Sequence, residues 1–319
     1  MPKILFITGI AGFIGYHLAK SLHARGDLVI GCDNFNEYYP SFLKKERAKR
    51  LKELGINVLT HDIRNLKALY YLFQKTPFSH FIHLAAQPGV RFSLTNPHCY
   101  VQNNLDGFLE VLELCRHFQP MQLVYASSSS VYGLNQKSPF SEDDPVIAPA
   151  NLYAATKKSN ELMAHAYHHL FHIPMTGLRF FTVYGPWGRP DMAYFSFAKA
   201  IQEGNPLHVF NHGKMKRDFT YIDDIIQGCL AAIDKPTSYE IFNLGNNKPQ
   251  ELMTLIHILE KALGKKAIIE FQPMQPGDVL ETCADLSKSS SLLNYHPTTS
   301  LEQGLPTFAK WFQEFFQIV

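Results

Sequence analysis

Lys3-Ile4-Leu5-Phe6-Ile7-Thr8-Gly9-Ile10-Ala11-Gly12-Phe13-Ile14-Gly15 runs from an apolar segment straight into three glycines spaced three and three. A short apolar run closed by glycine reads as a buried strand. A helical pattern follows, from Phe13 to Arg25. At a strand-turn-helix junction the glycines have separable jobs: a tight turn, close approach of backbone to a pyrophosphate, and close packing of helix on strand. The helix amino terminus, from Phe13 and Ile14, then offers free N–H groups to phosphate. Asp27-Leu28-Val29-Ile30-Gly31-Cys32 reads as the next strand, with Asp33 at its end. An acid about 20 residues past such glycines suits an adenosine ribose and repels a 2′-phosphate. The expected cofactor is therefore NAD rather than NADP. A strand-turn-helix without a ligand is the competing reading, and the regular glycine spacing disfavours it.

Outward from this turn the chain alternates strand and helix. Strands are expected at 57–60 and 80–83, and helices at 41–54 and 66–74. Asp62 and Ile63 follow the third strand, where an adenine ring could lie. Leu84, Ala85 and Ala86 follow the fourth, and their small side chains let backbone approach a cofactor. His83, at a strand end, suits packing or capping better than catalysis. A helix at 98–118 leads to the run Met121–Ala126 and then to Ser127, Ser128, Ser129 and Ser130. This alternation calls for right-handed crossovers and an α/β fold: a Rossmann-type doubly wound parallel sheet. The sheet domain is expected over 1–181, rejoined by about 222–245. A smaller, C-terminal substrate-binding lobe is expected from 182–221 and 246–319, ending in an amphipathic helix at 301–316.

The bulk composition narrows the function classes. With 319 residues, 46% hydrophobic and 18% charged, the chain is globular. A net charge of +2 is too mild for a nucleic-acid surface. The basic run Lys44-Lys45-Glu46-Arg47-Ala48-Lys49-Arg50 reads as a solvated helix face. No apolar run is long enough to span a bilayer, and no secretory signal pattern opens the sequence. Five cysteines lie far apart with no C-x-x-C pair, which fits a reduced, cytoplasmic setting.

The chemistry is concentrated between Ser127 and Lys157. The serines fall at the carboxyl end of a strand, where open α/β sheets bind ligands. Tyr153 and Lys157 are four apart near the start of a helix at 151–172, so they share a face. A tyrosine is a poor base at neutral pH, and a nearby lysine ammonium favours its phenolate. Ser128, Tyr153 and Lys157 are the candidate catalytic set. His165, His168, His169 and His172 share one face of the same helix, but no carboxylate or cysteine completes a metal site, and a surface or subunit-contact face is expected. Thr182 to Asp191 interrupts the alternation with glycine, proline and Arg189, and reads as a substrate loop. Gly213 to Asp218 reads as a basic loop able to clamp a diphosphate through Arg217. Gln275-Pro276-Gly277-Asp278 reads as another loop.

These residues resemble the extended short-chain dehydrogenase/reductase family, in its NAD-dependent epimerase/dehydratase group, over essentially the whole chain. Thr8–Gly15, His83-Leu84-Ala85-Ala86 and Ser127–Gly133 recur across sugar-nucleotide enzymes. Gln87-Pro88-Gly89-Val90-Arg91, Leu178–Ala193 and Lys216–Asp224 are similar to the UDP-glucuronate 4-epimerase branch. The resemblance implies a tightly bound NAD, Tyr153 as base, Lys157 as its partner and Ser128 as the hydroxyl bridging substrate and tyrosine. It implies Arg217 at the diphosphate, Asp278 near the nucleotide ribose, Arg91 in the substrate site, a homodimer, and a place in polysaccharide synthesis. Galactose epimerases tend to carry arginine three residues before the acid matching Asp278; Gln275 stands here.

The implied reaction is epimerisation at carbon 4 of a UDP-sugar, UDP-glucuronate to UDP-galacturonate, through a transient 4-keto sugar. Dehydrating relatives carry Asp-Glu after the residue matching Ser128, and decarboxylating ones a glutamate two residues after it. Ser129 and Ser130 occupy those positions and cannot serve as carboxylates. A 4-keto uronate loses carbon dioxide when its carboxylate aligns with the carbonyl π system. Ser129, Ser130, Thr182 and Arg189 are candidates for holding it out of line; Arg189 equally suits the diphosphate or bracing its loop. A 4-epimerase of UDP-glucose or a UDP-N-acetylhexosamine is the alternative enzyme. A catalytically silent NAD-binding regulator is the alternative of another class, and the intact Ser128, Tyr153 and Lys157 argue against it.

Overall fold

The computed structural model describes residues 2–275 and 277–317. Pro276, in the loop expected at 275–278, lies outside the described residues. Six strands arise in the first part of the chain: β1 (Ile4–Thr8), β2 (Leu28–Asp33), β3 (Asn57–Thr60), β4 (His80–His83), β5 (Gln122–Ser128) and β6 (Met175–Phe180). They are followed by β7 (Thr182–Tyr184), β8 (Pro206–Phe210), β9 (Lys216–Tyr221), β10 (Tyr239–Leu244), β11 (Pro249–Glu251) and β12 (Ile268–Gln272). The main sheet has the order β3-β2-β1-β4-β5-β6-β10, with every neighbouring pair parallel. The strand order reverses between β1 and β4, and a crevice opens at such a point beyond the carboxyl ends of the strands.

Burial on both faces explains the continuous apolar reading of these strands. Leu5 and Ile7 pack into one core with Val29, Ile82 and Val124 and with the helix Phe13–Ala24. Phe6 points the other way, into a second core with Phe73, Phe81 and Leu123 and the helix Gly107–Phe118. The helices Phe42–Glu53, Leu66–Lys75, Leu152–Phe171 and Leu301–Phe316 form close to their expected bounds, and Ala193–Glu203, Ile222–Asp234 and Leu252–Leu263 are further long helices.

Three expectations are corrected. The helix expected over 98–118 is broken into Pro97–Tyr100, a π-turn at Val101–Asp106, and Gly107–Phe118. The side chain of Asn104 donates to Thr156 Oγ1 at 3.1 Å and to the Gln87 carbonyl at 3.1 Å, and accepts from the Gln87 N–H at 2.7 Å. Its carbonyl accepts from the Asn160 amide at 2.6 Å. Partners outside the helix compete with the regular ladder there, which widens the turn. Second, the stretches read as loops at 182–191 and 213–218 each contribute a strand. β7, β9 and β11 form a small sheet of their own. The basic residues hid the strand-forming Phe219-Thr220-Tyr221. Asp218, fully buried, ties this strand to later backbone by accepting from the N–H groups of Asn246 (2.6 Å), Asn247 (2.9 Å) and Ala284 (2.9 Å). Third, the basic run 44–50 is not one solvated face. Lys44 (6% exposed) and Arg47 (0%) point inward with Leu43, Ala48 and Leu51, while Lys45, Lys49 and Arg50 face solvent. Positions 44, 47, 48 and 51 follow the helical repeat of an inward face.

Candidate active site

The crevice is a cleft of about 1090 Å³, beyond the 300–1,000 Å³ typical for one drug-sized ligand. Its floor is the glycine turn. Gly9 has φ +70°, and a Cβ there would sit 2.8 Å from Ala85 N. A Cβ at Gly15 would sit 2.2 Å from the Gly9 carbonyl, so helix and turn close only without side chains. The helix Phe13–Ala24 has no side-chain cap and no acid in its first turn. Its free N–H groups are left for an anion, as a pyrophosphate requires.

Asp33 stands at the end of β2, 8% exposed, and accepts from the Phe35 N–H at 2.8 Å. Burial pushes its carboxyl up, opposed first by the Lys44 ammonium. Lys44 donates to the Asn36 side-chain oxygen at 2.6 Å and to its carbonyl at 3.0 Å. Leu84, Ala85, Ala86 and Ile63 line the same cleft. Asp62 does not. Its carboxylate turns aside to Arg64, at 2.9 Å, and accepts from the Asn34 amide at 3.0 Å. These contacts, Arg64 first, hold its pKa well below the usual range. Asp62 thereby orients Asn34, which does line the cleft.

The four serines separate at the end of β5. Ser127 turns down, donating to Glu161 Oε1 at 2.7 Å. Glu161 is held by Arg179 through paired bonds of 2.8 and 2.9 Å. Ser128 ends the strand and caps the short helical turn Ser129–Tyr132, accepting from the Ser130 N–H at 3.2 Å. Asn151 caps the helix Leu152–Phe171 by accepting from the Ala154 N–H at 2.9 Å. That fixes the phase of the helix and presents Tyr153 and Lys157 to the cleft. Lys157 is 2% exposed and donates to the Ala126 carbonyl at 3.0 Å. Burial pulls its pKa down to about 8, opposed by Glu161. Burial raises the Tyr153 phenol, and the Ser128 hydroxyl and the Arg189 charge oppose that rise. His83 is buried against Thr8 Oγ1 at 2.9 Å, and burial drives its pKa down to about 3. It is a neutral packing residue.

Ser129, Ser130, Thr182, Arg189, Arg217, Arg91 and Asp278 line the same cleft. Arg189 pairs with Asp191, its Nε 3.0 Å from Oδ1, and the Tyr38 hydroxyl donates to Asp191 at 3.0 Å. Arg91 meets Asp278 at 3.3 Å, joining two loops across the mouth. Arg217 donates to the Leu280 carbonyl at 3.2 Å. The structure thus gathers every candidate residue except Asp62 around one cleft. It adds Tyr38, Lys44, Asn34 and Asp191; Asp191 closes the stretch read as a substrate loop, and Lys44 shows in its inward helical phase. The histidine face does other work: His168 hydrogen bonds the Ile173 carbonyl at 2.9 Å and stacks on Tyr239, and His172 ends the helix.

Residues 5–245 match the NAD dependent epimerase/dehydratase family. UDP-glucuronate 4-epimerase 4 of Arabidopsis thaliana is 48% identical over 98% of this chain and 76% of its own. The crystal structure of UDP-glucuronic acid 4-epimerase from Bacillus cereus, in complex with UDP-glucuronic acid and NAD, is similar with a TM-score of 0.92. It is 39% identical and covers 98% of this chain and 99% of that one. UDP-glucose 4-epimerase of Thermotoga maritima with UDP-glucose gives 0.90 at 26% identity, over 98% and 99%. The family match runs from the first strand of the main sheet to its last, and the chain belongs to the NAD dependent epimerase/dehydratase family.

Proposed function

We propose that the chain interconverts UDP-glucuronate and UDP-galacturonate by epimerisation at carbon 4. The observation that carries this reading is that Ser128, Ser129, Ser130, Thr182 and Arg189 line the same cleft as Tyr153, whose phenol the Ser128 hydroxyl and the Arg189 charge both influence. The cleft offers hydroxyls and a guanidinium for a carboxylate, and no carboxylic acid follows Ser128 to dehydrate the sugar. The 48% identical plant relative and the Bacillus cereus structure bear names of this activity.

The glycine turn, Asp33, Asn34 and the Leu84–Ala86 backbone would hold NAD. When bound, NAD supplies a reversible hydride acceptor, so the sugar passes through a 4-keto form and the cofactor is not consumed. Tyr153 takes the proton from the carbon-4 hydroxyl and later returns one. Ser128 holds that hydroxyl beside Tyr153. Lys157, fixed by Ala126, keeps positive charge near the phenolate. Ser129, Ser130, Thr182 and Arg189 hold the carboxylate, while Arg91, Arg217 and Asp278 hold the nucleotide end. In this reading residues 1–181 with 222–245 bind the cofactor, and 182–221 with 246–319 bind the nucleotide sugar. The exposed Leu109 and Leu162, on the two helices that pair subunits in the family, support a homodimer, which sedimentation velocity tests. All five cysteines are free and no helix among the described residues is long and apolar enough to cross a membrane. Both support a cytoplasmic setting, which cell fractionation tests.

The test is incubation of the purified protein with UDP-glucuronate without added NAD, followed by sugar analysis. UDP-galacturonate is expected. Turnover of UDP-glucose alone would overturn the uronate reading, and turnover of neither sugar by NAD-loaded protein would overturn the enzyme reading.

A further inference from the structure

Arg47 is the largest side chain that is wholly buried yet has no carboxylate among its hydrogen-bond partners. Its Nη1 donates to the Ala11 carbonyl at 3.1 Å and to the Tyr39 hydroxyl at 2.9 Å. Its Nη2 donates to the carbonyls of Trp187 at 2.5 Å and Gly188 at 2.9 Å. Its Nε has no partner among the described residues. A buried cation answered only by dipoles is costly to keep. Its charge reaches Asp33, whose carboxyl it helps hold down.

The two backbone segments it joins are the ones the chemistry uses. Ala11 lies inside the glycine turn. Trp187 and Gly188 directly precede Arg189. Trp187 has φ +62°, a left-handed conformation that a tryptophan adopts only when held. Arg47 supplies two of the bonds that hold it, and His17 supplies another nearby, to the Pro186 carbonyl at 2.9 Å. From this anchored turn Arg189 extends to where its charge acts on Tyr153. The planar guanidinium reaches both segments at once, which a lysine ammonium cannot do with the same geometry.

We infer that Arg47 is a positioning residue that clamps the glycine turn to the substrate loop and thereby sets the place of Arg189 in the cleft that Tyr153 also lines. The clamp makes the geometry of the cofactor floor and of the substrate wall one unit. Its turnover consequence rests on the epimerase reading above; its conformational consequence does not.

The experiment uses the full chain loaded with NAD. Arg47→Lys and Arg47→Met are compared with the parent for chymotrypsin cleavage of the Trp187–Gly188 bond, read by mass spectrometry below the melting temperature of each protein. Cleavage at least about fivefold faster is expected, since the held turn opens when its anchor goes. An unchanged rate overturns the inference. In parallel, kcat/KM for UDP-glucuronate is measured for Arg47→Lys in the parent and in an Arg189→Ala background. A loss of about tenfold is expected in the first and under about twofold in the second, because residues acting as a unit are not additive. Equal losses in both backgrounds overturn the inference. If Arg47→Met does not fold, Arg47→Lys carries both readouts. If the parent turns over no UDP-glucuronate, the proposed function fails and the cleavage readout still decides the clamp.

Discussion

The ammonium of Lys157 rests on the carbonyl of Ala126, 3.0 Å away, inside the sheet's carboxyl edge. That bond ties the helix carrying Tyr153 and Lys157 to the strand that ends in Ser128. It does not offset the burial of a charge. The pKa of Lys157 falls from 10.5 to about 8. The folded state therefore binds a proton less readily than the unfolded chain.

The sign follows directly. Between pH 8 and 10.5 the unfolded chain holds more protons at this position, so stability rises with pH across that window. Below it the full penalty applies, roughly 3 kcal/mol. Lys157→Met removes the penalty and loses one hydrogen bond worth about 1 kcal/mol. At pH 7 the variant is expected to be more stable than the parent by about 2 kcal/mol, and inactive. Urea unfolding at pH 7 and at pH 10.5 checks this, with the gain gone at the higher pH. A variant less stable than the parent at pH 7 would refute the penalty.

Arg189 and Asp191 act on Tyr153 with opposite signs: the guanidinium lowers its pKa and the carboxylate raises it. In the proposed reaction the Tyr153 phenolate is the base, so the rate should rise with pH until Tyr153 has ionised. Arg189→Ala removes the positive charge and is expected to move that rising limb to higher pH. Asp191→Asn removes the negative charge and is expected to move it to lower pH. Tyr153→Phe abolishes the limb and lowers kcat by about 10²–10⁴-fold while NAD stays bound. Limbs that move together, or not at all, would separate Arg189 and Asp191 from the base. Arg189→Ala with unchanged affinity and turnover for UDP-glucuronate would remove Arg189 from the substrate site.

Glu161 carries the support under this arrangement. It is nearly fully buried and takes paired bonds from Arg179 and a third from Ser127. Removing one member of a buried ion pair leaves the other uncompensated, at a cost of about 3–5 kcal/mol. Glu161→Ala is expected to lower stability by that amount in equilibrium denaturation. Glu161→Gln keeps an acceptor for Arg179 Nε and Ser127 but puts an N–H donor against Arg179 Nη2; with part of the contacts and the volume retained it is expected to lose less than Glu161→Ala. It also removes the charge that raises the Lys157 pKa, so Lys157 should titrate below pH 8. A loss under about 1 kcal/mol for Glu161→Ala would mean Arg179 finds water or another partner.

What the sequence made legible is what one residue type or one period can encode. Gly9, Gly12 and Gly15 encode a turn in which a Cβ has no room. Val, Ile, Leu and Phe runs encode strands covered on both faces. Tyr153 and Lys157 encode a shared helical face. Less legible were features made by residues distant in sequence. Asp218 in β9 is held by N–H groups from 246, 247 and 284, so a basic segment became a strand. Asn104 opens a π-turn because Gln87 and Asn160 compete for it. Arg47 looked like surface because its acceptors lie at 11, 39, 187 and 188. Asp62 followed a strand end as an adenine contact would, yet Arg64 draws it away.

The hydroxyl wall makes the sharpest chemical prediction. A 4-keto uronate is a β-keto acid, and it loses carbon dioxide when the carboxylate bond lines up with the carbonyl π system. Ser129, Ser130 and Thr182 line the same cleft as Tyr153 and can donate to the carboxylate, holding it out of that alignment. A hydrogen bond to a charged group is worth about 1.5–3 kcal/mol, which corresponds to roughly tenfold to hundredfold in the partition between epimer and decarboxylated product. Ser130→Ala and Thr182→Val are therefore expected to release UDP-pentose at least about tenfold above the parent, measured by product chromatography after incubation with UDP-glucuronate. UDP-glucose, which has no carboxylate, should show a change in rate only. Variants that slow epimerisation without any added pentose would show that the hydroxyls bind the sugar but do not guard its carboxylate.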